Sequence, residues 1–257
     1  MIDVALTGAK GRMGSLIIDE IRSSRDLKLV AAIDIVGVGE PVLGDVFVSD
    51  ARDVRRVLRE SQPDVLIDFT VPSAALDNIR AAADSGVALV VGTTGFSEEQ
   101  FSIIEDTIKS AGIAAVISPN FSLGVNIFWK LVEMAARSLS DYDVEIIEMH
   151  HRRKKDAPSG TAMRTVEILR RSLGIEDIRY GREGMCERGR EIGVHAVRAG
   201  DIVGDHIVLF AGPGERIEIK HQAHSRSAFA TGALRAARWV VKAPPGIHSM
   251  EEVLASS

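Results

Sequence analysis

Two histidines and four basic side chains with fixed positive charge occupy six consecutive residues, 150 to 155. The stretch reads His150-His151-Arg152-Arg153-Lys154-Lys155 and continues as Asp156-Ala157-Pro158-Ser159-Gly160-Thr161. Histidine exchanges protons near neutral pH, and lysine supplies positive charge together with hydrogen-bond donors. These residue types suit the binding and protonation of a small dianionic substrate.

Three interpretations of this basic run compete. Most charge runs are solvated loops without a specific ligand. A nucleic-acid or localisation patch would also be basic, but the chain has a net charge of -5 and no aromatic residues interleave with the basic ones. The third interpretation, an anion site with acid catalysis, is favoured by the elements on either side of the run.

A strand predicted over 144–149 leads into the run, and a helix is predicted to start after it at Ser159 or Thr161 and to end at Gly174. Its apolar positions follow helical spacing: Met163, Val166, Leu169 and Leu173. The start of a helix presents backbone N–H groups and the positive end of the helix dipole. A carboxylate is a suitable ligand for such a site.

The N-terminal strand, 2–6, runs into a turn with glycines at positions 8, 11 and 14. This G-x-x-G-x-x-G pattern departs from the usual G-x-G-x-x-G because Lys10 occupies the middle position. Gly8 would allow a tight turn, Gly11 would let the backbone approach a pyrophosphate, and Gly14 would let helix and strand pack closely. The pattern predicts a dinucleotide diphosphate at the helix N-terminus.

The second predicted strand, 28–33, ends at Asp34, about 20 residues after the last glycine, where the fingerprint places a ribose-binding acid. The alternative is a strand-terminal aspartate that caps a turn. A carboxylate here accepts from ribose hydroxyls and disfavours a 2′-phosphate, so NADH is slightly favoured. Lys10 and Arg12 could still reach such a phosphate, which leaves NADPH open.

Strand–helix alternation continues to about residue 117 and is typical of a parallel, doubly wound sheet. Strands are predicted at 65–69, 87–91 and 113–117, with helices at 51–60, at 73–85 with Ser73 as N-cap, and from 97. Ligands of such sheets bind beyond the carboxyl ends of the strands. The loop residues Gly92, Thr93, Thr94, Asn120 and Phe121 are therefore predicted to line the nicotinamide side.

The second half of the chain changes character. A long helix is predicted from 123 to 139, an antiparallel meander over 192–199, 204–210 and 216–223, and a final helix over 227–241. The overall expectation is an α/β protein, with a Rossmann-type doubly wound parallel sheet and a second α+β domain on a mixed or antiparallel sheet. We predict a dinucleotide-binding domain over 1–121, with 226–257 packing back on it, and a substrate-binding and oligomerisation domain over 122–225.

Composition narrows the remaining possibilities. The chain has 257 residues, 46% hydrophobic and 26% charged, as is ordinary for a globular protein. The single cysteine, Cys186, excludes an internal disulfide and has no base near it in sequence.

Strand-like alternation around His221 and His224 argues against a metal site, so no metal is expected. No apolar stretch approaches the roughly 20 residues of a membrane span, and a soluble, cytoplasmic protein is expected. Residues 176–191 are expected to form a mobile or interface loop.

Several motifs are shared with one known family over essentially the whole chain. They are Gly8-Ala9-Lys10-Gly11-Arg12-Met13-Gly14, Gly92-Thr93-Thr94-Gly95, Asn120-Phe121-Ser122, Arg198-Ala199-Gly200-Asp201-Ile202-Val203-Gly204, Gly214-Glu215-Arg216 and, most specific, Glu148-x-His150-His151-x-x-Lys154-x-Asp156-Ala157-Pro158-Ser159-Gly160-Thr161-Ala162. With these motifs the sequence resembles the 4-hydroxy-tetrahydrodipicolinate reductases, also called dihydrodipicolinate reductases, of the diaminopimelate route to lysine.

The resemblance implies an NAD(P)H-dependent reduction of a cyclic imine with two carboxylates, giving tetrahydrodipicolinate with loss of water. It implies that His150 is the proton donor or acceptor, that Lys154 is a second proton donor and that His151 contacts substrate. The N–H groups of Gly160 and Thr161 would grip one carboxylate. The implied cofactor-binding residues are Gly8, Ala9, Lys10, Gly11, Arg12, Met13, Asp34, Gly92, Thr93, Thr94, Ser118, Pro119, Asn120 and Phe121.

The resemblance also implies a homotetramer joined through the sheets of the second domains. The net charge of -5 and the lack of an apolar span predict neither nucleic acid nor membrane as a partner. Two other functions remain open at this stage. One is a different two-domain NAD(P)-dependent dehydrogenase, acting on an aldehyde or an amino acid. The other is a dinucleotide-sensing regulator that keeps the fold without turnover.

Overall fold

A computed structural model of the chain describes residues 1–255 and divides into two compact units. Unit 1 comprises residues 1–123 and the C-terminal segment that starts at Ser227, and unit 2 comprises Gly124–Arg226. The predicted fold class is confirmed, because unit 1 contains a mostly parallel sheet and unit 2 a smaller mixed one. No helix within residues 1–255 is long and apolar enough to cross a membrane.

The strands, in chain order, are β1 (Ile2–Thr7), β2 (Leu27–Asp34), β3 (Pro41–Leu43), β4 (Val46–Asp50), β5 (Val65–Asp68), β6 (Ala88–Val91), β7 (Ala114–Ile117), β8 (Asp143–His150), β9 (Ile178–Tyr180), β10 (Ile192–Arg198), β11 (Gly204–Gly212), β12 (Glu215–Ala223) and β13 (Gly246–His248). The helices are α1 (Arg12–Ser23), α2 (Val54–Ser61), α3 (Pro72–Asp84), α4 (Glu98–Ala111), α5 (Leu123–Ser138), α6 (Gly160–Leu173), α7 (Ser227–Val240) and α8 (Met250–Ala255), with a 3₁₀ turn at Ala51–Asp53.

The sheet of unit 1 has the strand order β13-β7-β6-β5-β1-β2-β4-β3. All of its pairs are parallel except β3–β4, so the carboxyl ends of the other strands meet at one edge. In chain order, β2, β3 and β4 are added on one side of β1, and β5 is then added on the other side. The loops after β1 and β5 therefore flank the switch point where such sheets bind ligands.

Side chains alternate between the two faces of this sheet and form two separate apolar cores. Leu6 and Ile67 lie in the core that α1 and α7 cover, whereas Ala5 and Leu66 lie in the core on the opposite face. Successive residues of a strand point to opposite faces, and both faces of a parallel sheet are covered by helices. This explains why the strands read as continuous apolar runs.

The start of α3 differs from the sequence-based expectation. Ser73 was predicted as its N-cap, but the cap is Val71 and the helix begins at Pro72. Proline is favoured at the first helical position because its fixed φ suits a helix and its missing N–H would lack a helical partner anyway. The expected start of α4 is confirmed, since Ser97 and Gln100 form a reciprocal capping box.

A fully buried carboxylate, Asp68, closes the carboxyl end of β5. It accepts hydrogen bonds from Thr7 Oγ1 at 2.7 Å, Asn78 Nδ2 at 2.7 Å and Thr93 Oγ1 at 2.5 Å, and also from the hydroxyl of Thr70. The donors come from β1, from α3 and from the loop after β6. One side chain therefore joins the ends of three neighbouring strands, at the edge where sheets of this type bind ligands.

The sheet of unit 2 has the order β12-β11-β8-β10-β9, and α5 and α6 pack on one of its faces. The predicted antiparallel meander is wrong for its first strand. β10 pairs in parallel with β8, and β8 separates it from β11. The later strands follow the expectation, because the short turn between β11 and β12 allows direct antiparallel pairing.

Short elements escaped the sequence-based prediction. The strands β3, β4, β9 and β13 have three to five residues each, which is too short for a clear alternation pattern. The segment predicted as a mobile or interface loop contains β9 and is tied to β8. Arg182 and Arg188 both form ion pairs with Glu145, and Arg182 also pairs with Glu191.

We expect Asp68→Ala to lower the free energy of unfolding of the protein by about 3 kcal/mol or more. Each buried donor that loses its acceptor costs about 1–3 kcal/mol, and Asp68 satisfies Thr7, Asn78 and Thr93 together. Denaturant unfolding monitored by circular dichroism measures this change.

Asp77→Ala is the matched control on α3. The Asp77 side chain is 73% exposed and forms an ion pair with Arg80 on the surface of the same helix. Its replacement should change the free energy of unfolding by no more than about 0.5 kcal/mol. Equal effects of the two substitutions would contradict the role of Asp68.

Candidate active site

The basic run begins beside a fully buried carboxylate, Glu148, on β8. Both oxygens of Glu148 accept two hydrogen bonds each. Oε2 accepts from His150 Nδ1 at 2.6 Å and from Arg198 Nη1 at 2.8 Å. Oε1 accepts from Arg198 Nη2 at 2.7 Å and from the backbone N–H of Ser159 at 3.0 Å. Glu148 thus joins β8, the end of β10 and the start of α6.

This carboxylate is ionised at neutral pH. Burial alone would raise the pKa of Glu148, but the hydrogen bonds from His150 and Arg198 outweigh it and lower the pKa from 4.5 to about 2. An ionised carboxylate can only accept hydrogen bonds. His150 must therefore carry a hydrogen on Nδ1, and its Nε2 is the ring atom that can take up or release a proton.

Glycine keeps space beside that second ring nitrogen. A Cβ atom placed on Gly204, at the start of β11, would lie 3.0 Å from His150 Nε2. Such a contact is tighter than side chains normally make, so any larger residue would press on the imidazole. His150 is 9% exposed, which leaves its ring held on several sides.

Ser159 caps α6, which resolves the two predicted starting points in favour of Ser159. Its hydroxyl accepts from the N–H of Ala162 at 3.2 Å. Gly160 and Thr161 are consequently the first two residues of the helix. Their N–H groups lie at the positive end of the helix dipole, where anions are stabilised.

Lys154 is held near this helix start. Its Nζ lies 2.8 Å from Asp156 Oδ2, and the side chain is 21% exposed. The hydrogen bond from Lys154 lowers the pKa of the Asp156 carboxyl. Arg198 Nη2 donates to the Asp156 carbonyl at 2.7 Å, so the same guanidinium that binds Glu148 also fixes this turn.

His151 points to a different neighbour from His150. Its Nε2 lies 3.3 Å from Arg226 Nη2, and desolvation together with the charge of Arg226 lowers the pKa of His151. Arg152, Arg153 and Lys155 are exposed. Unit 2 therefore brings together the histidines, Lys154 and the start of α6, and leaves the other basic residues of the run in solvent.

In unit 1 the predicted cofactor residues lie at the carboxyl edge of the sheet. Gly8 has a φ of +77°, and a Cβ there would lie 2.5 Å from the Phe69 carbonyl oxygen. A Cβ on Gly14 would lie 2.1 Å from the Gly8 carbonyl oxygen. Only glycine fits either position, so the turn is tight and α1 starts close to β1. Gly11 caps α1 without a side-chain hydrogen bond, which suits a helix end that receives a phosphate.

Asp34, at the end of β2, faces this glycine-rich turn. Its Oδ2 accepts from the Lys10 N–H at 2.8 Å, and its Oδ1 accepts from the N–H groups of Ile35 and Val36. Lys10 Nζ is 2.6 Å from Glu40 Oε2. The predicted ribose ligand and the predicted phosphate-binding lysine therefore lie together, with a second carboxylate beside them.

The remaining predicted cofactor residues differ in whether a ligand could reach their side chains or only their backbone atoms. Thr93 is 5% exposed and donates its hydroxyl to Asp68, while the Phe121 side chain is 2% exposed and packs against Phe69. Gly92 has no room for a Cβ because the Phe69 ring lies 2.1 Å away from that position. Phe121 and Gly92 can therefore offer a ligand backbone atoms only. Ser118 and Asn120 hydrogen-bond each other in the same loop.

Three buried polar residues and one half-buried arginine lie outside the site predicted from sequence. Glu148 and Arg198 belong to the shared motifs but have no predicted role, and neither Asp68 nor His206 is among the predicted site residues. A charged residue inside an apolar strand was the available indication for Glu148 and Asp68, because such residues are rarely buried without partners. Arg198 and His206 lie about 50 residues along the chain from their partners, and only strand pairing brings them there.

A Rossmann-type sheet with a glycine-rich turn, and a second unit with a buried acid–base pair, define a class of protein: the two-domain, pyridine-nucleotide-dependent oxidoreductases. Family models narrow the class. The model described as the N-terminus of dihydrodipicolinate reductase matches residues 2–121, and the model of its C-terminus matches residues 124–254. The chain therefore belongs to the dihydrodipicolinate reductase family.

Individual relatives agree with the family models. The chain is 54% identical over 263 residues to a 4-hydroxy-tetrahydrodipicolinate reductase from Methanococcoides burtonii, covering 100% of both chains. A protein of the same name from Methanocaldococcus jannaschii is 51% identical over 267 residues, which cover 99% of this chain and 97% of the relative.

Two solved structures resemble this chain to different degrees. The dipicolinate-bound dihydrodipicolinate reductase from Paenisporosarcina sp. TG-14 superposes with a TM-score of 0.83 at 27% identity, covering 97% of each chain. An amine dehydrogenase from Mycobacterium smegmatis reaches a TM-score of 0.63 at 17% identity and covers 97% of this chain. The second likeness shows the fold alone.

Proposed function

We propose that this chain reduces 4-hydroxy-tetrahydrodipicolinate to tetrahydrodipicolinate, consuming NAD(P)H and one proton and releasing water, in lysine biosynthesis through diaminopimelate. The observation that carries the proposal is the Glu148–His150 pair beside the capped start of α6, inside the motif shared with the family. An ionised acid that fixes a histidine tautomer is what a proton-transfer step requires.

The two units take separate roles in this proposal. Residues 1–121, with 226–257, bind the nucleotide, and residues 122–225 bind the substrate and mediate oligomerisation. The glycine-rich turn and the start of α1 take the diphosphate, with Asp34 on a ribose. Gly92–Thr94 and Ser118–Phe121 complete the nucleotide site. NAD(P)H, when bound, supplies the hydride.

Recognition of the substrate depends on its two carboxylates. The N–H groups of Gly160 and Thr161, at the positive end of the α6 dipole, bind one of them. Lys154 adds positive charge and hydrogen-bond donors, and His151 adds an uncharged imidazole. The related reductase from Paenisporosarcina sp. TG-14 was solved with dipicolinate bound. Dipicolinate is a cyclic dicarboxylate of this kind, which supports the assignment of substrate class.

Two atoms handle protons. His150 Nε2 transfers a proton while Nδ1 stays bonded to Glu148, and Lys154 Nζ is the second donor. One proton is consumed in the net reaction. The proton that the departing hydroxyl group takes away as water is matched by a proton lost from the adjacent ring carbon. The ion pair with Asp156 holds the Lys154 Nζ in one position beside the turn that precedes α6.

NADH is the preferred cofactor in this proposal. A 2′-phosphate beside Asp34 would meet that carboxylate and Glu40, and like charges repel. The Lys10 ammonium, which could have offset the repulsion, is already paired with Glu40. Arg12 is exposed and is the remaining cation of the turn.

The proposed role of unit 2 in oligomerisation rests on the exposed edge strand of its sheet. The edge strand β12 pairs with β11 alone among the described strands, and most of its residues are exposed. Ile217 on this strand is 45% exposed. Exposed edge strands are usually covered in native proteins, and a homotetramer joined through these sheets would cover them.

The activity test mixes the protein with the condensation product of pyruvate and aspartate semialdehyde and follows oxidation of NADH and of NADPH. We expect oxidation with the wild-type chain and a loss of about 100-fold or more in kcat for Lys154→Ala, because general acid catalysis contributes about 10²–10⁴-fold. Lys155→Ala, its exposed neighbour, is the matched control and should keep wild-type turnover.

The alternatives give different results in the same assay. A dinucleotide sensor would bind nucleotide without oxidising it, and another dehydrogenase would act on an aldehyde or an amino acid instead. Loss of nucleotide affinity in Lys154→Ala, in place of lost turnover, would show that the lysine belongs to the cofactor site.

Cofactor choice has its own prediction. We expect Asp34→Ala to reduce the ratio of kcat/KM for NADH over NADPH by about tenfold, because about 1.4 kcal/mol of repulsion disappears. Glu40→Gln should shift the ratio in the same direction by releasing Lys10. Asp45→Ala, an exposed acid in the turn between β3 and β4, is the control and should leave it unchanged. An unchanged ratio in Asp34→Ala would mean that Asp34 does not face the ribose.

A further inference from the structure

A second buried histidine, His206 on β11, lies against the proposed proton-transfer site. It is 4% exposed, and its ring centroid is 5.3 Å from that of His150 with the planes at 74°. In the sheet, His206 pairs with Glu148 on one side and with His221 on the other. The ring of Phe128 on α5 covers both His206 and His221.

His206 also reaches the start of α6. Its Nε2 is 3.1 Å from Ser159 Oγ, the same oxygen that caps the helix through the N–H of Ala162. Ser159 is thus held from two directions, with Glu148 accepting from its N–H and His206 bonded to its hydroxyl. The geometry of the first helical turn depends on both contacts.

The groups around His206 keep it uncharged. Burial, followed by repulsion from His150, lowers the pKa of His206 to about 3, although Glu148 acts in the opposite direction. The other neighbouring cation is Lys154, and the other neighbouring imidazole is His221. A neutral imidazole between these groups provides a hydrogen bond and a rigid ring surface without adding charge.

We propose that His206 is a positioning residue, which links the carboxylate-binding start of α6 to the proton-transferring ring of His150. Its hydrogen bond holds the Ser159 hydroxyl in the capping orientation, so that the N–H groups of Gly160 and Thr161 keep their direction. Its ring edge packs on His150 and keeps Nδ1 on Glu148. This inference rests on the proposed function for its kinetic consequences, though its effect on carboxylate binding is independent of turnover.

Two substitutions separate the two contacts. His206→Phe keeps a ring beside His150 and removes the hydrogen bond to Ser159. We expect the dipicolinate Kd, measured by calorimetry, to rise about fivefold, which is the effect of one hydrogen bond. The substrate KM should rise by the same factor, while kcat stays within about twofold.

His206→Gln keeps a hydrogen-bonding group and removes the ring. Here kcat should fall about tenfold through misplacement of His150, while dipicolinate Kd stays within about twofold.

The matched control is His221→Gln. His221 lies on the neighbouring strand and packs on the same Phe128 ring, 6.4 Å from its centroid. His221 has a ring contact with His206 at 6.4 Å, but among the described residues it forms no hydrogen bond or ring contact with Ser159 or His150. The substitution keeps both contacts of His206, so kcat and dipicolinate Kd should both stay at wild-type values. Circular dichroism and the midpoint of thermal unfolding confirm that each variant is folded.

The outcomes are distinct. Opposite patterns of kcat and Kd in the two His206 variants support the inference. Wild-type values in both variants, or equal losses of kcat and affinity in both, overturn it, because a merely structural role would not split the two quantities. If the wild-type chain itself fails to oxidise NADH or NADPH, the proposed function fails, and the dipicolinate measurements still decide whether His206 supports the start of α6.

Discussion

The arrangement of unit 2 depends on one ionised carboxylate that is completely buried. Moving such a charge out of water is expensive, and it is tolerated only when hydrogen bonds and an opposite charge replace the lost solvent. Glu148 accepts a bidentate pair of hydrogen bonds from the Arg198 guanidinium, one from the His150 imidazole N–H and one from the Ser159 backbone N–H. Bidentate arginine–carboxylate pairs are among the stronger charge-assisted hydrogen bonds, and they also fix the orientation of both groups.

This requirement explains why the site is assembled from distant parts of the chain. The three partners come from β8, the end of β10 and the residue before α6, and each is fixed by the same two oxygen atoms. A change in strand register or helix start would leave the carboxylate short of a partner. His150 and the start of α6 therefore keep a constant position relative to one another within unit 2.

Unit 1 uses buried or half-buried carboxylates at strand ends in the same manner. Asp68 collects neutral donors from Thr7, Asn78 and Thr93, and Asp34 collects backbone N–H groups from the glycine-rich turn. Without these acceptors, the buried N–H and O–H groups at the carboxyl edge of the sheet would lose their hydrogen bonds to water and gain none in return, which lowers stability. The acids organise the loops that the proposed nucleotide site requires.

Much of this could be predicted from local sequence. Glycine positions, helix spacing and the strand-terminal Asp34 depend on neighbours a few residues away, and the corresponding elements formed as expected. The shared motifs, and not charge density alone, indicate His150 and Lys154 instead of the exposed Arg153 and Lys155. The error at α3 was also local, since the preference of Pro72 for the first helical position outweighed the capping preference of Ser73.

What local sequence did not provide is the identity of residues brought together by strand order. Placing β10 beside β8, rather than in a meander with β11, brings Arg198 onto Glu148. The antiparallel pairing of β11 with β8 likewise brings His206 to His150. Neither pairing follows from hydrophobic periodicity, because alternation within a strand reveals its buried face but not its neighbour.

Ionised Glu148 determines which nitrogen of the neutral His150 ring carries the hydrogen, and the tautomer of that ring can be measured directly. Long-range ¹H–¹⁵N correlation spectra of protein labelled with ¹⁵N-histidine distinguish the two nitrogens of each imidazole. For the neutral ring we expect the hydrogen on Nδ1, which faces a carboxylate that can only accept a hydrogen bond. A neutral His150 with its hydrogen on Nε2 would contradict it.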